Sequence, residues 1–270
     1  MTINDDQRQL QIMSDIQTAP DKIAKAKNDK LVIEISHLKK SFGEQQVLKD
    51  VSLKLLNGEN LVVLGKSGSG KSVLIKCIVR LLNPDNGTIN VLGENVSALN
   101  VDGLGELRKK IGFLFQSGAL YDSMTVKQNL EFPLQRMKKN LSQKERNEKI
   151  SEVLEGVGLA DALHKMPSQL SGGMRKRISL ARTIIVDPLI MLYDEPTTGL
   201  DPVTSDEINS LINDVQKKYK TSSIIITHDI ECARTIADRI IMLHDGEVYE
   251  EGKLEKFEKS TDELIRAFFK

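Results

Sequence analysis

Apolar residues in this chain first cluster in short runs and later recur at helical spacing. Residues 31–36, 47–56 and 61–64 read as strands. The third, Leu61-Val62-Val63-Leu64, is apolar throughout, as suits a strand covered on both faces of a parallel sheet. A helical segment carrying Val73, Leu74, Ile75, Cys77, Ile78 and Val79 follows. It runs to about Leu82, where Asn83-Pro84-Asp85-Asn86-Gly87 is a dense turn signal. Residues 88–92 return as a strand, 104–110 as a helix, and 111–115 as a strand closing on Gln116. From about 117 to 170 the strands stop: Ser142-Gln143-Lys144-Glu145 is a capping box, with Ile150, Val153, Leu154 and Val157 on one helical face behind it. A second helix carries Ile178, Leu180, Ala181 and Ile184, and residues 189–193 then form another apolar strand. Asp201-Pro202 opens a helix in the order N-cap, then proline, with Ile208, Leu211, Ile212 and Val215 on its core face. Residues 224–226 read as a buried strand, and 240–244 with 247–250 as a hairpin about Asp245-Gly246. The last residues, to Phe268-Phe269, read as a helix with an exposed apolar end, suited to docking on a partner or on the domain itself. Residues 1–30 read either as a short amphipathic stripe (Leu10, Met13, Ile16) ended near Pro20 or as a flexible tail.

Length and composition narrow the class without choosing a function. A chain of 270 residues fits one large domain or two small ones, with ample length for a packed core. Lys+Arg and Asp+Glu are 38 each, so the net charge is zero and nucleic-acid binding by bulk charge is disfavoured. No apolar run approaches the roughly 20 residues that cross a bilayer. Residues 1–30 are polar and lack a signal-peptide core, so a soluble cytoplasmic protein is expected. Cys77 and Cys232 each sit in an apolar helical pattern and read as buried free thiols.

Four stretches carry candidate chemistry. Gly65-Lys66-Ser67-Gly68-Ser69-Gly70-Lys71-Ser72 has the spacing glycine, four residues, Gly-Lys-Ser, between a strand and a helix opening at Val73. Glycines there let backbone N–H groups crowd phosphate oxygens at the positive end of a helix. Lys71 then reaches the β- and γ-phosphates, and the Ser72 hydroxyl ligates Mg2+. Leu170-Ser171-Gly172-Gly173 opens a helix with unpaired N–H groups, which makes it a second anion site or merely a flexible entry. The Arg175-Lys176-Arg177 run behind it reads as a solvated face rather than a nucleic-acid patch. Asp194 and Glu195 end an apolar strand beside the phosphate loop, where Asp194 holds Mg2+ and Glu195 aligns and deprotonates water. His228 follows the 224–226 strand at the same edge, where a donor reads a γ-phosphate. Taken alone, Gln116 reads as surface and Phe42 as core.

Together, the phosphate loop, Gln116, Leu170 to Gly173, Ile190 to Glu195, Gly199-Leu200-Asp201 and His228 occur in the order of the ABC-type ATPases, which residues 31–250 resemble. The resemblance implies an α/β P-loop NTPase fold: a RecA-like core, an antiparallel β subdomain and a helical subdomain over about 117–180. Residues 1–30 are then an N-terminal extension and 251–270 a helical tail. It also implies that Phe42 stacks on adenine, and that Gly65 to Val73 bind ATP. Gln116 touches Mg2+ and senses a transmembrane partner. Ser171, Gly172 and Gly173 close on the γ-phosphate of the opposite subunit, Asp201 contacts the dimer partner, and His228 is a switch histidine. Met174 stands where most of the family has Gln. Met174, with residues 115–121 and Met166-Pro167-Ser168, resembles a narrower group, the ATPase of Mla-type phospholipid transporters.

That group works at the cytoplasmic face of the inner membrane with permease subunits, an MCE lipid-binding protein and a small STAS-like subunit. One phosphate loop and one signature per chain imply a homodimer enclosing two Mg-ATP, with residues 117–130 forming part of the permease groove. Three other readings stay open: an importer ATPase for a small polar solute such as an amino acid, a non-transport ABC protein on ribosomes or DNA, and a nucleotide-gated interaction module with little turnover.

Overall fold

The computed structural model describes residues 30–269, so the stripe expected at Leu10, Met13 and Ile16 lies outside the described residues. Ten strands form one sheet, and its two halves differ in direction. β1 (Leu31–Phe42), β2 (Gln45–Leu56), β4 (Asn86–Val91) and β5 (Glu94–Asn95) pair antiparallel. β3 (Asn60–Leu64), β6 (Ile111–Leu114), β7 (Ile190–Asp194), β8 (Ser222–Thr227) and β9 (Arg239–His244) run parallel. β10 (Glu247–Gly252) returns from β9 as a hairpin, and the full order is β5-β4-β1-β2-β10-β9-β3-β8-β7-β6. β1 outruns its expected end at residue 36, because bulges let it stay in register with β2 as far as the turn at Gly43.

The parallel strands are buried on both faces, and alternate residues feed two cores. On one face, Leu61, Val63, Leu192 and Ile224 pack with Leu74 and Ile78 of α1 (Lys71–Ile78) and with Leu104 and Leu107 of α2 (Val101–Lys109). On the other, Val62, Leu64, Tyr193 and Ile225 pack against the long run of helices. That run comprises α3 (Val126–Met137), α4 (Gln143–Gly156) and α5 (Gly172–Ile184) between β6 and β7, then α6 (Pro202–Tyr219) and α7 (Ile230–Ile236). Each fully buried Leu or Ile contributes about 1.5–3 kcal/mol of transfer free energy, so a sheet covered on both faces makes a stiff base for whatever its loops hold.

Local chemistry sets the helix starts. Thr125 with Gln128 and Ser142 with Glu145 close reciprocal capping boxes on α3 and α4, the second as its spacing implies. Asp201 caps α6 through the Thr204 N–H, and Pro202 takes the first helical position. The chain ends in α8 (Leu254–Glu258) and α9 (Glu263–Phe269). Of the two placements expected for the apolar end, docking on the domain itself is the one observed: Phe269 stacks on the buried Phe257 at 5.7 Å between ring centroids, and Phe268 packs on the same core.

Candidate functional site

The chemistry gathers where β3, β6, β7 and β8 deliver their carboxyl ends. After Leu64 the chain turns through Gly65, where a Cβ would lie 2.6 Å from the Leu243 carbonyl oxygen, so only glycine fits. At Gly70 the backbone is left-handed (φ 99°) and a Cβ would press to 2.7 Å from Leu48 Cδ2. Gly70 supplies no side-chain cap, which leaves the N–H groups of the first α1 turn free to face an anion. Lys71 is 5% exposed; its ammonium donates to the carbonyls of Gly65 (2.7 Å) and Lys66 (3.0 Å) and lies 3.6 Å from Glu195 Oε1. Burial holds the Lys71 pKa below its ordinary value, against the opposing pull of Glu195 and Asp194.

Ser72 Oγ donates to Asp194 Oδ1 at 3.0 Å. Burial raises the Asp194 pKa, and the Ser72 bond opposes it. One residue on, Glu195 adopts φ 49°, a left-handed backbone that costs a non-glycine residue on the order of 1–3 kcal/mol. Its carboxylate oxygen Oε2 accepts from Thr198 Oγ1 (3.1 Å) and Thr227 Oγ1 (3.5 Å) and lies 2.8 Å from His228 Nδ1. An ionised carboxylate only accepts, so the ring proton of that bond sits on Nδ1. Ser67, Gly68, Gly70, Lys71, Ser72, Val73, Gln116, Glu195 and His228 line one open cleft of about 300 Å³, together with Val47 of β2.

Other residues singled out from the sequence stay outside that cleft's lining. Phe42 ends β1, 47% exposed, with the Lys40 ammonium 5.4 Å from its ring centroid. Ser171 is exposed and caps α5 by accepting from the Met174 N–H at 3.2 Å, while Met174 itself is half-buried against the core. Gly173 sits so close to α6 that a Cβ would lie 2.5 Å from Thr204 Cγ2. Thr204 Oγ1 donates to Asp201 Oδ2 at 2.6 Å, so the Ser171 turn and the Asp201 loop are neighbours.

One expectation is corrected. Arg175 is exposed and Arg177 pairs with Glu207, but Lys176 between them turns inward and is 7% exposed. Its ammonium donates to the Gln116 carbonyl at 2.6 Å and, at 3.4 Å, to the Glu195 carbonyl. A three-residue basic run shows its charge but not which member sits on the inner face of the helix. The apolar spacing of Ile178, Leu180 and Ala181 held that signal.

The donor set at Ser72 and Asp194 is all oxygen, one hydroxyl and one carboxylate, and Gln116 lines the same cleft. That suits Mg2+, a hard cation that takes few protein ligands and shares phosphate oxygens. The ABC transporter family profile matches residues 48–198. The chain belongs to the ABC transporter family. Its fold is the α/β nucleotide-binding domain of P-loop NTPases, with the sheet described above, and ABC cassettes bind ATP with Mg2+.

A methionine import ATP-binding protein of Brucella abortus is 38% identical over 225 residues, covering 83% of this cassette and 60% of the relative. The chain therefore spans less than two thirds of that relative's length. The chloroplastic protein trigalactosyldiacylglycerol 3 of Arabidopsis thaliana is 36% identical over 258 residues, covering 88% of this cassette and 73% of the relative. Among solved structures, a dimeric ATP-binding cassette in a post-hydrolysis state with ADP and phosphate aligns with TM-score 0.76. It is 34% identical over 82% of this chain and 98% of its own.

Proposed function

We propose that this chain is the ATP-hydrolysing subunit of a phospholipid-moving ABC transporter, acting as a homodimer whose two active sites are each shared between subunits. The observation that carries the reading is spatial. Lys71, Ser72, Glu195 and His228 line one cleft, while Ser171, whose turn offers the other anion site, is not among the residues lining it. A second copy facing the first supplies the missing half.

In that arrangement Phe42 takes the adenine, and the N–H groups of Gly65 to Val73 surround the phosphates. Lys71 leaves the loop carbonyls to meet the β- and γ-phosphates. Ser72, Asp194 and Gln116 would hold Mg2+, which would neutralise charge on the phosphate oxygens. Glu195 orients the attacking water and accepts its proton; His228, bonded to the same carboxylate, keeps it aimed and meets the γ-phosphate. Ser171, Gly172, Gly173 and Met174 of the partner close over that phosphate, with Leu170 anchoring their turn in the core and Asp201 at the dimer contact. Loss of the γ-phosphate removes what holds the subunits together, and the dimer opens. Residues 117–130 receive a permease helix on the cytoplasmic face of the inner membrane. No helix among the described residues is long and apolar enough to cross a membrane.

The lipid reading rests on Met174 with residues 115–121 and 166–168, and one relative carries the name of a glycolipid. It brings an MCE protein and a STAS-like subunit as partners. A second reading, import of a small polar solute, is favoured by the relative named for methionine import. Purification from native membranes decides between them: copurifying phospholipid and an MCE protein support the first, and a solute-binding protein without lipid refutes it. For the chemistry, Glu195→Gln removes the base but keeps the shape. Turnover should fall about 10²–10⁴-fold with ATP binding retained, and near-normal turnover would overturn the role of Glu195.

A further inference from the structure

We propose that Lys176 is a positioning residue that ties the Ser171 turn of each subunit to the Gln116 and Glu195 peptides of the same subunit. The proposal rests on the shared-site reading above. Three observations converge on one ammonium group. It leaves α5 five residues after Ser171, on the inward face of the helix, and is 7% exposed. It donates at 2.6 Å to the carbonyl of Gln116, two residues past the end of β6 at the head of the loop assigned above to the permease. It also reaches, at 3.4 Å, the carbonyl of Glu195, the residue held at φ 49°.

A left-handed residue without glycine's freedom persists only where its surroundings over-determine it. At Glu195 the N–H is fixed by the Ile226 carbonyl at 3.0 Å, while the carbonyl accepts from the Thr198 N–H at 3.3 Å and from the Lys176 ammonium as its one charged donor. A buried ammonium has few ways to be satisfied, so its partners move with it or it is left unpaired at high cost. Rotation of α5, which swings Ser171 toward or away from the opposite nucleotide, therefore pulls on the Gln116 loop and on the peptide that aims Glu195. Each subunit thereby links the nucleotide it holds to the one it caps.

The test compares Lys176→Met with Lys176→Arg in the full-length chain. Met keeps the length and buries well but donates nothing; Arg keeps charge and donors. The expected result is a kcat lowered about 10–100-fold in Lys176→Met, since hydrogen bonds from a charged group are the strong ones. Affinity of the isolated subunit for ATP should stay within about twofold, because Lys176 touches neither the phosphate loop nor Phe42. The ATP dependence of the rate should lose its cooperativity, and Lys176→Arg should recover most of both. Should Lys176→Met not fold, Lys176→Leu, which also donates nothing, takes its place with the same readouts. Wild-type kcat and cooperativity in the donor-less variant would overturn the proposal, as would Arg failing as badly as Met in a folded protein. Mixed dimers of wild-type and Ser171→Arg subunits test the shared site separately. Independent sites there would sink that reading, whereas the Met–Arg contrast in kcat reports on the Lys176 bonds.

Discussion

The contact between α5 and α6 allows a prediction with little freedom. Gly173 has helical backbone, so alanine suits its dihedrals and gains roughly 0.5–1 kcal/mol of helix preference over glycine. The added methyl, however, would lie 2.5 Å from Thr204 Cγ2, when ordinary carbon contacts begin near 3.4 Å. The next atoms of Thr204 stand at 3.8 and 3.9 Å, so a single methyl group is in the way. The Ser171 turn must then move by about 0.9 Å. Overpacking of this kind costs about 1–3 kcal/mol, offset only in part by the helix gain, so the melting temperature should fall by up to about 10 °C. The rate should not escape so lightly: a displacement near 1 Å in a positioning element costs about 10²-fold.

Adding Thr204→Ser deletes Cγ2 and keeps the hydroxyl that donates to Asp201. Gly173→Ala should therefore slow ATP turnover about 100-fold while the protein stays folded, and the double variant should recover at least about tenfold of that loss. Saturating-ATP phosphate release with a parallel thermal melt reads both. If Gly173→Ala alone keeps the wild-type rate, or if Thr204→Ser restores nothing, the intrasubunit clash is not what makes glycine necessary at 173.

Two further expectations concern stability and reactivity. Arg239 grips Glu59 through Nε and Nη2 at 2.7 and 2.9 Å, and Glu59 is 9% exposed. Arg239→Met should cost about 2–4 kcal/mol and lower the melting temperature by about 5–15 °C, with Glu59→Gln added on top restoring most of it. Failure of the double variant to recover would mean the pair is not the source of the loss. Burial pushes the Cys77 thiol up to about 11 and the Cys232 thiol higher still. A maleimide should therefore label neither in the folded protein at neutral pH and both in guanidinium; rapid native labelling would contradict that packing.

Much of the site was legible because it is local in sequence. Gly65 to Ser72 are contiguous and carry their own spacing, and the strand ending at Asp194 and Glu195 announces its burial by being apolar throughout. What stayed hidden joins distant segments. The Lys176 bond to Gln116 spans sixty positions, and the Arg239–Glu59 pair spans one hundred and eighty. No spacing rule reaches either. At Lys176 charge masks position: the helical spacing that makes Ile178 and Leu180 core residues also puts position 176 indoors. Phe268 and Phe269 were read as a helix, but whether their face met solvent depended on Phe257, itself in a short helix with little pattern of its own. Glu195's left-handed backbone has no sequence signature, since nothing in its neighbours demands glycine-like dihedrals.

The seam between the two halves of the sheet has a mechanical consequence. β10 meets β2 through a single parallel rung, Glu247 opposite Asp50, beside the bond from the Lys49 N–H to the Gly246 carbonyl at 2.8 Å. Phe42 lies on one side of that rung and Lys71 on the other. Oily packing runs beneath without interruption, while the ladder above it is short and leans on side chains, the Lys49–Asp245 pair and the bond from Arg239 Nη2 to the Lys54 carbonyl, both at 2.6 Å; small-angle rocking of the antiparallel flap is the expected consequence. A molecule long enough to touch both sides would act as the missing stitches, and amide exchange along β2 would slow when it arrives.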